Sequence, residues 1–334
     1  MIELPKAGFV PVATPIERLN RLSEVIEVDL WVKRDDLAGP SFGGNKARQL
    51  DFYLGAALQE RCDTILITGA VQSNFVRTAA ALAAKLKMRT IVQLEARVQG
   101  QDDLYQSSGN VLLNQLLGAE VIYYPDGEDE AGADAALRER AEQERAKGFR
   151  PYVIPLALGN PPLGALGYVS AAHEIMDQQP DFDFVVVASG SGLTHAGLLT
   201  GFHARGFNGR VIGSCVRRDA IKQRERIRTV LDDIATLCTS NTPVPSKQIE
   251  IWDGALSPGY GKIGPSAFSA MKMMAENEGL VLDPVYTAKT FAAIPALVEN
   301  GGIPKGGKVL FVHTGGLASF FAYQTDLKHL LDGT

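Results

Sequence analysis

Short apolar runs alternate along the chain with longer amphipathic stretches that are rich in alanine and charged residues. The run at residues 184–188 is apolar at every position, which is typical of a strand covered on both faces of a parallel sheet. Strands that alternate with helices predict an α/β fold. The predicted strands lie at 64–68, 90–94, 120–124, 152–154, 184–188, 211–215, 248–252 and 308–313, and the predicted helices include 44–60, 73–86, 110–117, 132–147, 164–178 and 266–278.

Composition and charge exclude several classes of protein. The chain has 334 residues, of which 46% are hydrophobic and 21% are charged, as in ordinary globular proteins and unlike disordered or collagen-like chains. Lysine and arginine number 33 against 38 aspartates and glutamates, so the net charge is −5 and no basic field is available to bind a nucleic-acid backbone. We therefore expect a folded protein with no nucleic-acid partner.

The cysteines and the N-terminal residues bear on the cellular compartment. Cys62, Cys215 and Cys238 lack the CxxC spacing of a zinc site, and scattered cysteines are typical of a reducing compartment. Residues 1–5 lack the basic region and apolar stretch of a signal peptide, and no run of 18 apolar residues occurs. We expect a cytoplasmic protein without a metal site or a membrane span.

The first candidate for a reactive site is at residues 41–48, where two glycines and an asparagine precede a helix that begins at about Lys46. A lysine in the first turn of a helix lies beside the positive end of the helix dipole, which lowers its pKa. Only a neutral amine attacks a carbonyl group, so Lys46 is a candidate for Schiff-base chemistry. On this motif alone, an exposed lysine at a helix start remains the alternative.

Two further stretches place a polar loop between a strand and a helix. In the first, Gln72, Ser73 and Asn74 stand where a helix begins, so they either cap that helix or bind a carboxylate at its free N–H groups. In the second, residues 188–197 combine small residues and hydroxyls at a helix start, which favours a phosphate site. A dinucleotide loop is the rival, but His195 occupies the position of the third glycine.

The C-terminal half adds three candidates. Tyr260 and Tyr286 each stand in a turn-prone loop, where a phenol can act as an acid or base or can be purely structural. Thr314 follows an apolar strand and precedes two glycines, an arrangement that suits contact with a flat ligand. A non-catalytic amino-acid-binding protein remains open at this point, whereas the glycine spacing disfavours a nicotinamide-dependent oxidoreductase.

Taken in order, six motifs resemble those of one enzyme family. This is the pyridoxal-phosphate-dependent family that contains D-cysteine desulfhydrase, 1-aminocyclopropane-1-carboxylate (ACC) deaminase and L-cysteate sulfo-lyase. The resemblance covers nearly the whole chain. The motifs are GGNK at 43–46, GAVQSN at 69–74, SGSGLTHAG at 189–197, SPGYG at 257–261, LDPVYTAK at 282–289 and HTGG at 313–316.

This resemblance implies the type II fold of pyridoxal-phosphate enzymes, with two open twisted α/β domains. The smaller domain, residues 50–160, is inserted into a larger cofactor-binding domain of residues 1–49 and 161–334. Family members act on small amino acids and are usually homodimers, so we expect both here. We expect pyridoxal 5'-phosphate as the cofactor.

The resemblance also implies residue roles. Lys46 matches the lysine that binds the cofactor covalently, and Thr314 faces the pyridine nitrogen. Tyr260 and Tyr286 match the two active-site tyrosines. Asn74 matches the residue bonded to the phenolic oxygen of the cofactor, and Ser73 matches the one near the substrate carboxylate. The residues implied at the phosphate are Gly190, Ser191, Gly192, Leu193 and Thr194. The residues implied at the substrate are Gln72, Ser73, Asn74 and Phe75.

Within the family, Thr287 and Thr314 distinguish between reactions. The deaminase has a glutamate and a leucine at these two places, whereas this chain has the hydroxyls of the desulfhydrase. Neutral neighbours around the pyridine nitrogen favour β-elimination from a cysteine-like amino acid, which releases pyruvate, ammonia and sulfide or sulfite. ACC deamination is the alternative. Phe75 and the proline-containing loop 158–162 depart from the family pattern and leave the exact substrate open.

Overall fold

The computed structural model describes residues 4–239 and 243–333. These residues form two compact units. The first unit contains residues 12–38 and 161–317, and the second contains residues 4–11, 39–160 and 318–333. Each unit carries its own sheet and its own helices, which confirms the predicted α/β class.

The elements follow one another along the chain in the order predicted from the apolar runs. The strands are β1 (Ile16–Arg18), β2 (Asp29–Lys33), β3 (Thr64–Ala70), β4 (Arg89–Glu95), β5 (Glu120–Tyr124), β6 (Pro151–Ile154), β7 (Phe184–Ser189), β8 (Arg210–Cys215), β9 (Glu250–Trp252) and β10 (Lys308–Val312). The α-helices are α1 (Asn20–Ile26), α2 (Asn45–Gln59), α3 (Asn74–Lys85), α4 (Asp103–Ser107), α5 (Gly109–Leu116), α6 (Glu130–Ala146), α7 (Ala165–Gln178), α8 (Leu193–Ala204), α9 (Ala220–Leu237), α10 (Pro265–Glu278), α11 (Thr287–Phe291), α12 (Ala293–Glu299), α13 (Leu317–Phe320) and α14 (Gln324–Asp332).

The first unit has a six-stranded sheet in the order β1-β2-β10-β7-β8-β9. Only the β1–β2 pair is antiparallel, and Leu310 of β10 pairs with Trp31 on one side and Val185 on the other. Helices α7 and α8 pack closely because α8 contains glycine at the contact: a Cβ on Gly197 would lie 2.3 Å from the carbonyl oxygen of Ala165. This packing fixes α8 and therefore the loop that leads into it.

The second unit has a four-stranded parallel sheet in the order β5-β4-β3-β6. All seven residues of the central strand β3 are buried, as expected for a central strand of a parallel sheet that is covered on both faces. Leu66, Ile91 and Leu137 form part of the core on this sheet. The carboxyl end of β3 leads into α3, at the edge where parallel sheets bind ligands.

All of the predicted strands and helices lie within two residues of elements in the structure. One of the two-residue differences is in the strand predicted at 248–252, which begins only at Glu250 because a 3₁₀ turn occupies Ser246–Gln248. The long helix α9 was not individually predicted.

The compact units divide the chain differently from the predicted domains in three places, the first being residues 4–11, which lie in the second unit. Helix α2 is continuous across the predicted boundary at residue 50, and it lies wholly in the second unit. Residues 318–333 also belong to the second unit, because Tyr323 packs edge-to-face on Tyr105 and Thr325 donates a 2.7 Å hydrogen bond to Asp102.

Within the two described ranges, no helix is both long and apolar enough to cross a membrane. The same residues contain no group of three or more His, Cys, Asp or Glu side chains placed to hold a metal ion.

Candidate active site

Lys46 stands in the first turn of α2, as predicted. Gly43 and Gly44 precede the helix with φ angles of 59° and 116°, in the left-handed region that glycine adopts without strain. The Nζ atom of Lys46 lies 3.2 Å from Oε1 of Gln49 and 5.5 Å from the centroid of the Phe75 ring. Lys46 and Phe75, predicted from separate motifs, are therefore neighbours.

Burial lowers the pKa of Lys46 from its usual 10.5 to about 8. The predicted direction is confirmed, but the cause is removal of the amine from water rather than the helix dipole. At this pKa roughly a tenth of the amine is neutral at pH 7. The neutral amine is the nucleophilic form that Schiff-base chemistry requires.

Ser73 and Asn74 begin helix α3. Ser73 is the N-cap, and its Oγ accepts a hydrogen bond of 3.3 Å from the backbone N–H of Val76. Its hydroxyl hydrogen is not used by that bond. Asn74 is held by its Oδ1 atom, which accepts a 3.0 Å hydrogen bond from Nδ2 of Asn110. The helix start is therefore capped and fixed in position.

Gln72 has a structural use that the sequence did not indicate. Its Nε2 donates to the carbonyl oxygens of Tyr105 at 2.6 Å and Ser108 at 3.0 Å, and its Oε1 accepts from the backbone N–H of Asn110 at 2.9 Å. These bonds tie the start of α5 to the loop before α3. Contact of Gln72 with a substrate stays a prediction.

Arg77 is a buried member of this site that sequence reasoning missed. It is 1% exposed, and it donates from Nε to Oδ1 of Asn110 at 3.2 Å. Its Nη1 donates to the carbonyl oxygen of Ser41 and, at 3.5 Å, to that of Gly43. Arg77 therefore connects the Lys46 loop to the residue that holds Asn74. Its position in an otherwise alanine-rich helix was the available signal.

Replacing Arg77 with methionine should lower the free energy of unfolding by about 2 kcal/mol or more, because two loop carbonyls and Asn110 lose their donor. Urea denaturation measures this change. Lys85→Met on the exposed end of the same helix is the control and should change stability by less than about 0.5 kcal/mol. Equal stability of the Arg77 variant and the unchanged protein would contradict the role.

The loop between β7 and α8 contains the predicted phosphate motif. Gly192 has a φ of 99°, which places it in the left-handed region. A Cβ on Gly190 would lie 3.1 Å from Cγ2 of Val216 and 3.7 Å from Cε1 of Tyr286. The glycines therefore allow the backbone to turn tightly close to Tyr286.

The carbonyl oxygens of this loop are occupied by donors from α9 and the loop before it. Gly190 O accepts from Nε2 of Gln223 at 3.1 Å and from Nη1 of Arg218 at 3.3 Å, and Ser191 O accepts from Nε of Arg226 at 2.8 Å. The first N–H groups of α8 have no partner within the helix. N–H donors and arginine charge together suit a phosphate.

Tyr260 and Tyr286 form a pair. Their hydroxyl oxygens are 2.5 Å apart, and their rings meet edge-to-face with centroids 6.1 Å apart. One phenol donates its hydrogen to the other, so the acceptor keeps a hydrogen that it can give to a third group. The pair can therefore deliver a proton.

A buried carboxylate shapes the turn that carries Tyr286. Asp283 accepts hydrogen bonds from the backbone N–H groups of Val285, Tyr286 and Thr287 at 3.0, 3.0 and 2.8 Å, and burial raises its pKa. Thr287 Oγ1 accepts from the Asp283 N–H and donates to the Asp283 carboxylate, each at 2.7 Å. The Thr287 hydroxyl is therefore part of this turn, and the role of Thr287 in distinguishing the reactions of the family stays a prediction.

Thr314 follows β10 by two residues and is 6% exposed. Gly316, two residues further along the same loop, has a φ of 112°. A Cβ on Gly316 would lie 2.7 Å from Cγ of Asp283. The Thr314 loop and the Tyr286 turn therefore pack directly on each other.

The predicted residues are distributed over both units. Lys46, Gln72, Ser73, Asn74 and Phe75 belong to the second unit, and the others, namely Gly190, Ser191, Gly192, Leu193, Thr194, Tyr260, Tyr286 and Thr314, belong to the first. The chemistry of these residues fits pyridoxal phosphate. The loop after β7 offers N–H donors and arginine charge for a dianion, and Lys46 offers an amine of lowered pKa for an aldehyde.

Comparison with known proteins identifies close relatives along nearly the whole chain. D-cysteine desulfhydrase from Yersinia pestis (strain Pestoides F) is 38% identical over 326 residues, which cover 97% of each chain. D-cysteine desulfhydrase from Serratia proteamaculans (strain 568) is 38% identical over 327 residues, again 97% of each chain.

Solved structures and a family profile agree with these relatives. The crystal structure of an ACC deaminase homologue superposes with a TM-score of 0.86 at 35% identity, covering 98% of this chain and 97% of that one. Threonine deaminase isoform 2 from Solanum lycopersicum shares only the fold, with a TM-score of 0.66 at 17% identity over 97% of this chain and 84% of that one. The profile described as "Pyridoxal-phosphate dependent enzyme" matches residues 10–315. The chain therefore belongs to the pyridoxal-phosphate-dependent enzymes and has their type II fold.

Proposed function

We propose that this enzyme is a β-elimination lyase that acts on a cysteine-like amino acid and releases pyruvate, ammonia and sulfide or sulfite. The observation that carries this proposal is the 38% identity with D-cysteine desulfhydrases over 97% of both chains. The phenol pair supports it, because departure of a sulfur group from the β-carbon needs a nearby proton donor.

The first unit is proposed as the cofactor-binding domain and the second as the small domain. Gly190–Thr194 would bind the phosphate through N–H groups and hydroxyls, and Thr314 would lie at the pyridine nitrogen. Thr314 is neutral, so it would not raise the pKa of that nitrogen as a carboxylate would. Bound pyridoxal phosphate supplies an electron sink for charge that develops on the α-carbon of the amino acid.

Lys46 is proposed to bind the cofactor and to remove the proton from the α-carbon. Its Nζ is suited to both tasks, since a lysine of pKa about 8 is partly neutral near neutral pH and regains its proton readily. Phe75 lies beside this amine and offers it no hydrogen bond. The ring therefore limits the access of water to the amine without lowering its basicity through a donor.

The substrate carboxylate is proposed to bind at the start of α3. Ser73 Oγ already accepts from Val76 N–H, so its own hydrogen can be donated to a carboxylate oxygen. The free N–H groups of the first helical turn add donors and a positive dipole end. Asn74 would bond the phenolic oxygen of the cofactor, with Asn110 fixing its side chain.

The tyrosine pair is proposed to protonate the leaving group. As the bond between the β-carbon and sulfur breaks, sulfur keeps the electron pair, and the phenol that accepts the hydrogen bond within the pair transfers its own hydrogen to sulfur. The second phenol stabilises the resulting phenolate through the 2.5 Å contact. Tyr260 and Tyr286 therefore act as a unit.

A substrate panel tests the proposed reaction. D-cysteine, L-cysteine, L-cysteate, β-chloro-D-alanine and ACC are supplied separately, and pyruvate, 2-oxobutyrate, sulfide and sulfite are measured. We expect pyruvate from at least one of the first four compounds, and none from a Lys46→Ala control.

Release of 2-oxobutyrate from ACC, with no pyruvate from the other compounds, would instead establish the alternative, ACC deamination. That alternative is favoured by the likeness to the ACC deaminase homologue. Sulfite rather than sulfide would identify a sulfonate-bearing substrate.

The location and assembly of the enzyme are also proposals. The family resemblance supports a homodimer, and the scattered free cysteines Cys62, Cys215 and Cys238 support a reducing, cytoplasmic location.

A further inference from the structure

We propose that Lys289 is a positioning residue that holds the hydroxyl of Tyr260 against that of Tyr286. This inference rests on the proposed function, in which the two phenols deliver a proton. The side chain of Lys289 is fully buried, and its Nζ donates to the carbonyl oxygens of Gly259 at 2.6 Å and Leu256 at 3.2 Å.

The stronger of these bonds reaches the peptide group that joins Gly259 to Tyr260. Gly259 has a φ of 139°, and its own N–H donates to Leu256 O at 2.8 Å, so the loop makes a tight turn at this point. Lys289 therefore binds the carbonyl oxygens of the first and last residues of the turn immediately before Tyr260. Movement of this turn would displace the Tyr260 ring.

Lys289 and Tyr286 are carried by the same helix, α11. Tyr286 is the N-cap of α11, and Lys289 follows it by three residues in the same short helix. The helix is fixed in turn by Ser214, whose Oγ donates to the carbonyl oxygen of Lys289 at 3.1 Å. Lys289 thus joins the loop of one tyrosine to the helix of the other.

The cost of burying this amine argues for a specific role. Burial lowers the pKa of Lys289 to about 8, and the charge of Asp283 only partly offsets that effect. A methionine of similar length would fill the same space without a desolvation penalty. The lysine amine, unlike a methionine side chain, can bind two carbonyl oxygens at once. Its role is therefore to hold the Tyr260 loop in position.

The test compares Lys289→Met with the unchanged holoenzyme, using whichever substrate of the panel is turned over. A misplacement of about 1 Å at a proton donor lowers turnover strongly, so we expect kcat to fall about 10- to 100-fold. Cofactor content should stay the same, because the Lys289 amine binds carbonyl groups of the Tyr260 loop and not of the phosphate loop. Lys85→Met, the same substitution at an exposed lysine near the end of α3, is the matched control and should change kcat by less than about twofold.

A double-mutant cycle separates positioning from general stability. In a Tyr260→Phe background, adding Lys289→Met should cost less than about threefold in kcat, because the hydroxyl that it positions is already gone. An equal loss in both backgrounds, or wild-type kcat for Lys289→Met, would overturn the proposal. If Lys289→Met does not accumulate as folded protein, Lys289→Gln, with a shorter amide donor, is measured in the same cycle and judged by the same outcomes.

The cycle also distinguishes this inference from the proposed reaction. If no panel substrate gives pyruvate but ACC gives 2-oxobutyrate, the reaction proposal fails while the cycle is still measured with ACC. Coupling between the two substitutions would then support the positioning role for the other reaction.

Discussion

Replacement of Lys46 by alanine is expected to lower turnover by at least about a thousandfold and to abolish covalent attachment of the cofactor. The variant removes an amine whose pKa burial lowers to about 8, and alanine supplies neither a nucleophile nor a base. Borohydride reduction followed by peptide mapping identifies the lysine that carries the cofactor. Activity on the best panel substrate measures the loss.

Two other buried lysines make this mapping informative. Lys33 is held 2.5 Å from the carboxylate of Glu174, which favours the charged form, and Lys289 is bound to two loop carbonyls. Neither amine is available for attack without breaking these contacts. Cofactor found on either of them would contradict the assignment of Lys46. Lys85→Ala is the control and should keep full activity.

Replacement of Ser191 by aspartate is expected to weaken retention of the cofactor by at least about a hundredfold. The new carboxylate would face a dianionic phosphate, and two like charges about 4 Å apart in a protein repel by about 4 kcal/mol. The cofactor that remains after dialysis is measured by absorbance and by phosphate content.

Ser191→Ala is the matched control. It removes one hydroxyl but adds no charge, so retention should fall about tenfold or less. The Ser191 carbonyl, which accepts from Arg226, is present in both variants. Equal retention in the aspartate and alanine variants would show that the phosphate does not bind at this loop.

The local features of this protein could be predicted from its sequence. The short run at 64–68, rich in β-branched and apolar residues, predicted β3, and the continuous apolar run at 184–188 predicted β7, as expected for strands buried on both faces of a parallel sheet. Glycines and small polar residues after these strands located the loops into α3 and α8. The first-turn position of Lys46 followed from the Gly-Gly-Asn sequence before it.

The contacts between distant segments could not be predicted in this way. Arg77 and Asn110 are 33 residues apart, and Lys289 and Gly259 are 30 apart. A hydrophobicity pattern indicates which residues are buried, but not which polar groups satisfy one another across the core. The backbone contacts of the Gln72 amide were likewise not predicted.

The hydrogen bonds of Thr287 were not predicted, although the signal for them was local. Asp283 stands four residues before Thr287 and caps a turn, a use of aspartate that its position before Pro284 already suggests. These hydrogen bonds make Thr287 part of the support for Tyr286. Its comparison with the deaminase glutamate stays a prediction.

The membership of residues 318–333 in the second unit has a consequence for biosynthesis. These residues leave the ribosome after the whole of the first unit has been made, yet Tyr323 and Thr325 supply contacts to Tyr105 and Asp102. The second unit therefore cannot complete its native contacts during translation of its own central segment, residues 39–160. Its final assembly must wait until residues 318–333 have been synthesised, so a nascent chain arrested before residue 318 would leave Tyr105 and Asp102 without these contacts.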